Sequence, residues 1–270
     1  MTVRPDRLRF DLWKARLRGA RSVLNNVRNK GFEPEVSALP ILIPKGGVCV
    51  HIGASDGRHS YAMIKHAHAS KVFAFEPSSY SYAMLETAIA LHGLRAKIEP
   101  HRLAIGDREG EVTLTTPRKS GGSMGRAFAF VGGKEAKRSD LIWTGQMQQE
   151  TVRMTTLDAF WAGANAWLLD FIRADCEGAE IMVLEGAAKT IEAFKPSMLL
   201  EIHPVQLETV FRSSAQAIFD RLHRWGYRTF AMMPAWQEHT APLATAKPWK
   251  DYACLHAEKH RDQIAILLSH

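Results

Sequence analysis

From Gly47 onward, the apolar positions of the chain alternate between short continuous runs and stretches with helical spacing. The runs predict strands at residues 48–52, 71–75, 98–105, 168–174 and 197–202. The helical stretches predict helices at residues 57–67, 78–92, from 179 onward, and 213–225. Strands that alternate with helices favour an α/β fold, in which a mostly parallel twisted sheet carries helices on both faces.

The remaining part of this region predicts a hairpin strand, a closing pair of strands and two long connections. Residues 111–115 alternate as a hairpin strand does, and residues 227–232 and 251–256 predict an antiparallel closure of the sheet. Residues 118–133 contain five glycines and predict a mobile loop of the kind that closes over an active site. Residues 233–250, with three prolines, predict a longer connection between the last two strands.

The first thirty residues follow a different pattern. Their apolar positions are spaced by three and four, which is typical of one face of a helix over residues 5–30. These positions are Phe10, Trp13, Leu17, Ala20, Leu24 and Val27. We expect the helix to pack over the main domain with its arginines in solvent, and contact with a membrane surface or another anionic partner stays open. The chain is therefore divided into an N-terminal extension, 1–45, and a main domain, 46–270.

Charge and cysteine content narrow the class of protein. Residues 1–30 hold nine Lys and Arg against two Asp, and this difference equals the net charge of +7 of the whole chain. The remaining 240 residues are therefore neutral overall. No apolar run reaches the length of a membrane span, and no secretory signal is expected. Three cysteines without a CxxC pair disfavour a disulfide framework or a cysteine zinc site, and favour a cytoplasmic location.

The turn after the first strand carries the first candidate chemistry. Gly53 and Gly57 lie where a strand meets a helix, so the backbone can approach a ligand there. Glu76 ends the next strand, 23 residues after Gly53, where a carboxylate accepts ribose hydroxyls. The middle glycine of the dinucleotide fingerprint is missing, and Asp56 would repel a phosphate. The turn therefore favours S-adenosylmethionine over NAD.

A series of motifs begins at this turn and continues in order along the chain, and together the motifs resemble the FkbM family of S-adenosylmethionine-dependent methyltransferases. They are VCVHIGASDG at 48–57, VFAFEP at 72–77, LAIGD at 103–107 with GEVTL at 110–114, TTLD at 155–158, FIRADCEGAE at 171–180 with VLEG at 183–186, and Pro196 with LEIH at 200–203. The resemblance covers residues 47–204. It implies a Rossmann-like class I methyltransferase fold and O-methylation, often of sugars in polysaccharides, glycolipids or natural products.

The turn and the motifs together give a candidate cofactor set. Its members are His51, Gly53, Ala54, Ser55, Asp56, Gly57, Glu76, Pro77, Ala104, Ile105 and Asp175. Two positions depart from the family pattern. His51 stands where the family usually has Asp, which puts the contact to the methionine end of the cofactor in doubt; a buried histidine that donates to the backbone is the alternative. Arg173 stands where the family usually has Lys, and it keeps the charge with a different geometry.

The fourth and fifth strands deliver candidate catalytic residues to the same edge of the sheet. Asp175 and Glu177 leave the fourth strand, and Glu201 and His203 leave the fifth, so each pair points to one side. Methyl transfer to a hydroxyl needs a base, and a histidine suits that role. We therefore predict His203 as the base, oriented by Glu201 or Glu177.

Other roles for these residues stay open. Glu177 at the start of a helix and His203 before Pro204 are also compatible with purely structural roles. A metal role for Asp175, Glu177 and His203 is disfavoured because no helix-spaced ligand pair supports it, and no metal is expected.

Three classes of function remain to be compared. The fourth strand does not end in the Asn/Asp-Pro-Pro-aromatic signature of enzymes that methylate amino groups of bases, so we expect a small-molecule or glycan acceptor and no nucleic acid. An NAD-dependent oxidoreductase on a similar sheet is the first alternative. The second is a non-catalytic module that binds anionic partners through the basic helix, with the strong salt dependence of phosphate binding.

Overall fold

The computed structural model describes residues 5–28, 32–117, 130–131, 147–164, 168–244 and 250–270. The helices are α1 (Pro5–Val27), α2 (Leu39–Leu42), α3 (Arg58–Lys65), α4 (Ser79–Leu91), α5 (Leu157–Gly163), α6 (Glu180–Gly186), α7 (Ala188–Phe194), α8 (Pro204–Thr209), α9 (Ala215–Arg224) and α10 (Arg261–Leu268), with a 3-10 turn at Pro34–Ala38. The strands are β1 (Val48–Ile52), β2 (Lys71–Phe75), β3 (Ile98–His101), β4 (Ala104–Ile105), β5 (Gly110–Pro117), β6 (Phe130–Val131), β7 (Met147–Thr155), β8 (Phe171–Ala174), β9 (Ser197–Ile202), β10 (Tyr227–Met232), β11 (Trp236–Glu238) and β12 (Lys250–His256).

The main sheet has the order β11-β10-β12-β9-β8-β1-β2-β3. Strands β3, β2, β1, β8 and β9 are parallel, and β12 runs antiparallel to both of its neighbours. The predicted α/β fold with an antiparallel closure is therefore confirmed. Between β1 and β8 the order of the strands reverses, and in such sheets the ligand binds outside the carboxyl ends of the strands at this point.

The sheet separates two apolar cores, as expected for strands that are covered on both faces. Cys49 of β1 packs with Val72 and Leu199 on one side, whereas Val50 packs with Ile172 and Leu200 on the other. Successive residues of a strand point to opposite faces, so uninterrupted apolar runs are the sequence mark of these buried strands. Leu39 and Leu42 of α2 belong to the first core. Residues that precede β1 are therefore already part of the apolar core.

A second sheet was not predicted. It has the order β4-β7-β5-β6, and the predicted hairpin strand 111–115 lies within β5, which pairs antiparallel with β7. The prediction of one strand over 98–105 was wrong: the chain leaves the main sheet after His101, and Ala104 and Ile105 pair with β7 instead. The predicted loop 118–133 lies outside the described residues except for β6.

Helix α1 forms where the spacing predicts it, but the face that packs is not the predicted one. Trp13, Leu17, Leu24 and Val27 are 51–63% exposed, and the side chain of Phe10 lies outside the described residues. The buried positions of α1 are small or polar and rest on α4. The prediction that α1 packs over the main domain is therefore confirmed by its contacts with α4, but the face that packs is the small and polar one, and the apolar positions are exposed. Among the described helices, none is long and apolar enough to span a membrane.

Candidate active site

A cavity of about 380 Å³ opens at the carboxyl ends of β1, β2, β8 and β9. The strand order reverses between β1 and β8, so the cavity occupies the position at which open α/β sheets bind ligands. Its walls contain most of the residues that the sequence singled out. They are Gly53, Ala54, Ser55, Asp56, Glu76, Pro77, Ala104, Ile105, Asp175, Glu177 and Glu201.

Gly53 lets the ends of β1 and β8 approach each other. Its φ is +77°, and a Cβ built on it would lie 1.8 Å from the carbonyl oxygen of Asp175. The N–H groups of Gly53 and Ala54 both donate to the carbonyl oxygen of Phe75, which fixes the turn to β2. Any side chain at position 53 would force these strand ends apart, so the turn requires glycine.

Glu76 closes the turn from the β2 side. One carboxylate oxygen accepts the N–H of Ser55 at 2.8 Å and the other accepts the N–H of Ser78 at 2.9 Å. Burial raises the pKa of Glu76 to about 7, although the two backbone donors act in the opposite direction. Each carboxylate oxygen has a second lone pair, so Glu76 can still accept hydroxyl groups from a ligand in the cavity.

Two residues of the candidate cofactor set do not line the cavity. Gly57 provides the left-handed residue, with φ +79°, from which α3 starts. His51 is 1% exposed, and its Nδ1 lies 2.7 Å from the hydroxyl of Ser60 on α3. Burial, helped by the charges of His59 and Arg173, holds the pKa of His51 well below its usual range. The residue is thus a buried neutral histidine, whose partner is a hydroxyl rather than a backbone carbonyl.

Asp56 contacts the N-terminal helix as well as the cavity. Its Oδ2 accepts a 2.9 Å hydrogen bond from Ser22 Oγ, and its Oδ1 accepts the N–H of Arg58 at 3.3 Å. The residue is 4% exposed. Helix α1 is therefore attached directly to the glycine turn.

The side of the cavity formed by β8 and β9 is organised by Arg173, which is 1% exposed. Its Nη1 donates to Asp251 at 2.6 Å, and its Nη2 lies 3.4 Å from Glu201 and 3.5 Å from Asp175. Burial alone would lower the pKa of the guanidinium, but these three carboxylates raise it above its usual value. Burial and the neighbouring Asp251 raise the pKa of Glu201 to about 7, and burial and Glu201 raise that of Asp175.

His203 lies behind the carboxylates rather than in the cavity wall. It is 2% exposed, its Nε2 is 2.8 Å from Glu201 Oε1, and the same atom is 3.7 Å from Glu177 Oε2. The expectation that His203 and Glu201 project together toward the ligand is therefore corrected. Glu201 and Glu177 face the cavity, and the imidazole contacts them from the protein side.

Asp175, Glu177 and His203 come closer together than the sequence indicated. Each offers a ligand atom, and these atoms lie within 4.8 Å of one another. The sequence argument against a metal relied on helix spacing, whereas these three residues converge from two strand ends. Their ligand types and distances are compatible with a divalent cation.

Sequence reasoning missed several residues at the site. Asp251 is the second residue of β12 and is 6% exposed, and the only sign of it in the sequence was an acidic residue at the start of an apolar strand. Glu33 and His59 also line the cavity, with His59 Nε2 3.1 Å from Glu33 Oε2. Burial opposes ionisation of Glu33, but His59 and Arg58 hold its pKa at about 2. No motif marks Glu33.

The fold is a Rossmann-like α/β domain, and its cavity lies at the topological switch point, where such domains bind their ligands. Residues 51–229 match the methyltransferase FkbM domain family, and the chain belongs to that family. The predicted family is thereby confirmed, and S-adenosylmethionine is the cofactor of this methyltransferase domain. No curated protein sequence matches the chain.

Solved structures with a similar fold are remote in sequence. Methyltransferase FkbM from Methylobacillus flagellatus KT is 16% identical with a TM-score of 0.46; the match covers 78% of this chain and 43% of that one. M. capricolum TrmK, in complex with S-adenosyl-homocysteine, is 7% identical with a TM-score of 0.47, over 84% of this chain and 70% of that one. The chain thus spans less than half the length of the first of these proteins. Likenesses this remote carry no inference about the acceptor.

Proposed function

We propose that the chain transfers the methyl group of S-adenosylmethionine to a hydroxyl of a sugar or related glycan acceptor. The observation that carries this proposal is the composition of the cavity wall. Six carboxylates of the described residues line it, against the one arginine, Arg58. These are Glu33, Asp56, Glu76, Asp175, Glu177 and Glu201.

An acidic wall suits the two ligands that this reaction brings together. The sulfonium and the amino group of S-adenosylmethionine are cationic, and a sugar offers several hydroxyl donors that carboxylates accept. A pyrophosphate, as in NAD, would meet repulsion from the same wall. The alternative of an NAD-dependent oxidoreductase is therefore disfavoured on electrostatic grounds.

The cofactor is proposed to lie along the carboxyl ends of β1 and β2. Glu76 would accept the ribose hydroxyls, Gly53 to Asp56 would border the methionine end, and Ala104 and Ile105 would contact the adenine. His51 and Gly57 contribute indirectly, by shaping the turn and the start of α3. Asp175 of β8 lies nearest to the boundary between cofactor and acceptor.

In the transfer step the acceptor oxygen attacks the methyl carbon in line with the departing sulfur. A bond forms between oxygen and carbon, the bond between carbon and sulfur breaks, and S-adenosylhomocysteine leaves with the electron pair on sulfur. Alignment of these atoms supplies a large share of the rate. The hydroxyl proton must go to a base as the new bond forms, because a neutral hydroxyl is a poor nucleophile.

We assign the base to the Glu201–His203 pair. Glu201 faces the cavity, and its pKa of about 7 suits a group that takes a proton near neutrality. His203 orients this carboxylate through the 2.8 Å contact and stabilises its charge. Glu177, 3.7 Å from the imidazole, helps to hold the acceptor. His203 thus stays in the catalytic machinery as a positioning residue.

A cytoplasmic location is part of the proposal. The three cysteines are free, with Cys49 and Cys254 buried, as suits a reducing compartment. We propose that the acceptor is a small molecule or glycan and that no nucleic acid is bound at the site.

The test is methyl transfer from S-adenosylmethionine with a labelled methyl group to a panel of oligosaccharides, glycolipids and nucleotide-activated sugars. We expect acid hydrolysis to release the label as an O-methyl sugar, and the Glu201→Gln variant to bind cofactor but transfer little. Label recovered in tRNA or in protein would overturn the acceptor class. Calorimetric binding of NAD but not of S-adenosylmethionine would overturn the reaction class.

A further inference from the structure

The apolar face of α1 points into solvent. Leu17, Leu24 and Val27 are 51%, 58% and 63% exposed, and Trp13 is 56% exposed. At about 100° per residue, these four positions fall within an arc of about 80° on the helix surface. Residues this apolar, aligned along four turns of one helix, form a continuous strip rather than scattered exposed side chains.

The opposite side of α1 holds the helix on the protein. Ala15, Gly19, Ser22 and Asn26 are buried there. A Cβ added at Gly19 would lie 2.6 Å from the carbonyl oxygen of Met84, so α1 and α4 approach closely.

Polar contacts fix the same face. Ser22 Oγ donates to Asp56, Asn26 Nδ2 lies 3.3 Å from His92 Nε2, and Arg18 Nη1 donates to Tyr80 at 2.8 Å. The strip is thus presented outward by a specific attachment.

Cationic side chains border the strip on both sides. Arg16 lies along one edge, and Arg21 and Arg28 lie along the other; all three are exposed. The first thirty residues carry nine basic residues against two acidic ones, and Asp11, one of these two, is buried. An apolar strip flanked by exposed arginines is the pattern of a helix that lies in the plane of a membrane surface.

We propose that α1 docks the enzyme on an anionic lipid bilayer, with the strip buried among the acyl chains and the arginines on the headgroups. The occupant is inferred from charge and apolar character together. A nucleic acid would complement the arginines but leave Leu17, Leu24 and Val27 in water. A second copy of the chain would bring one arginine-rich helix against another, at a cost in like-charge repulsion.

The experiment is co-sedimentation of the full chain with vesicles of phosphatidylcholine and phosphatidylglycerol in equal parts, compared with pure phosphatidylcholine. We expect binding to the anionic vesicles alone, weakened by salt. The variant L17S/L24S should lower the partition coefficient roughly tenfold or more, because two large apolar side chains no longer insert. The variant R16S/R21S/R28S should lower it by a similar factor, on the order of a few-fold per arginine.

A matched control uses exposed apolar residues outside α1. Ile266 and Leu268 of α10 are 52% and 45% exposed, so I266S/L268S should bind vesicles like the unaltered chain. Circular dichroism and thermal melting check that each variant is folded. Equal vesicle binding by L17S/L24S and the unaltered chain would overturn the proposal. So would vesicle-independent self-association or tRNA binding that L17S/L24S abolishes, since either would identify a different occupant of the strip.

Discussion

Arg173 Nη1 donates a 2.6 Å hydrogen bond to Asp251 Oδ1, and this bond joins β8 to β12 across the intervening strand β9. The same guanidinium lies within 3.5 Å of Glu201 and Asp175. One buried cation therefore offsets three carboxylates, two of which line the cavity. Loss of this guanidinium would therefore both weaken the sheet and leave the cavity carboxylates without their counter-charge.

Replacing Arg173 by Met should lower the free energy of unfolding by about 3–5 kcal/mol, because the carboxylates stay buried without their counter-charge. Arg173→Lys should cost less, since it keeps the charge but loses the forked geometry. Urea denaturation monitored by circular dichroism measures both. The double variant R173M/D251N should regain part of the loss, and a loss below about 1 kcal/mol for Arg173→Met alone would contradict the assignment.

The raised pKa of Glu76 should make stability depend on pH. This pKa moves from 4.5 to about 7 on folding, mainly through burial, so the folded chain keeps a proton that the unfolded chain has lost. Ionisation therefore costs stability as the pH rises from about 5 to above 7. As the pH rises from about 5 to above 7, the free energy of unfolding of Glu76→Gln should increase by on the order of 3 kcal/mol relative to that of the unaltered protein. A difference in unfolding free energy that does not change with pH would contradict the raised pKa.

Glu76 should also contribute to cofactor affinity. Glu76→Ala should weaken binding of S-adenosylmethionine by roughly 1.5–3 kcal/mol, the scale of hydrogen bonds to a charged group. Isothermal calorimetry measures this, with Glu201→Gln as the control whose affinity should barely change. Unchanged affinity in folded Glu76→Ala would remove the residue from the cofactor site.

The Glu201–His203 pair should govern turnover rather than cofactor binding. Glu201→Gln and His203→Gln should each lower kcat by roughly 10²–10⁴-fold while leaving cofactor affinity nearly unchanged. In the unaltered enzyme kcat should rise with pH through about 7, as Glu201 loses its proton. The His203→Gln variant should shift that profile. If both variants keep normal turnover and Glu177→Gln is inactive, the base is the β8 carboxylate instead.

Removal of divalent cations tests the cluster formed by Asp175, Glu177 and His203. The proposed mechanism uses no metal, so treatment with EDTA should leave methyl transfer unchanged. Loss of activity that Mg²⁺ or Mn²⁺ restores would instead make these three residues the ligands of a catalytic cation. The control is cofactor binding in EDTA, which should be the same in either case.

Packing of α1 on α4 is tested at Gly19. An alanine normally stabilises a helix relative to glycine by about 1 kcal/mol, but here its Cβ would meet the backbone of Met84 at 2.6 Å. Gly19→Ala should therefore lower the free energy of unfolding by roughly 1–3 kcal/mol. Gly163 of α5 has open space at the same position, so Gly163→Ala should not destabilise. A gain in stability for Gly19→Ala would contradict the close approach of the helices.

The strands at the centre of the main sheet could be predicted because both of their faces are buried. A strand that is buried on both faces has a continuous run of apolar residues in the sequence. The run Val48–Ile52 is an example, and it begins and ends where β1 does. Strand β7 was missed because it belongs to the second sheet, which is half-exposed. Its residues, MQQETVRMT, are mostly polar and contain no continuous apolar run. The packed face of α1 was missed because periodicity identifies an apolar face but not what covers it.

The site was predictable only as far as strand ends determine it. Gly53, Glu76 and Asp175 directly follow strands, and Glu201 lies near the end of β9. The fold fixes the order of these strands, and all four residues line the cavity. Asp251 could not be assigned, since its contact with Arg173 spans 78 residues and depends on the place of β12 in the sheet. The position of His203 behind Glu201 depends on how the chain turns into α8, which alternation along a strand does not describe.

The hydrogen bond from Ser22 to Asp56 connects the outward-facing helix to the turn that borders the cofactor cavity. Two binding events that stabilise the same arrangement of this bond are thermodynamically linked, and linkage acts equally in both directions. If lipid binding to α1 favours one position of Asp56, it changes the affinity for S-adenosylmethionine by some factor. The cofactor must then change the affinity for lipid by that same factor, so the cofactor supply of the cell would help to set how much of the enzyme resides at the membrane.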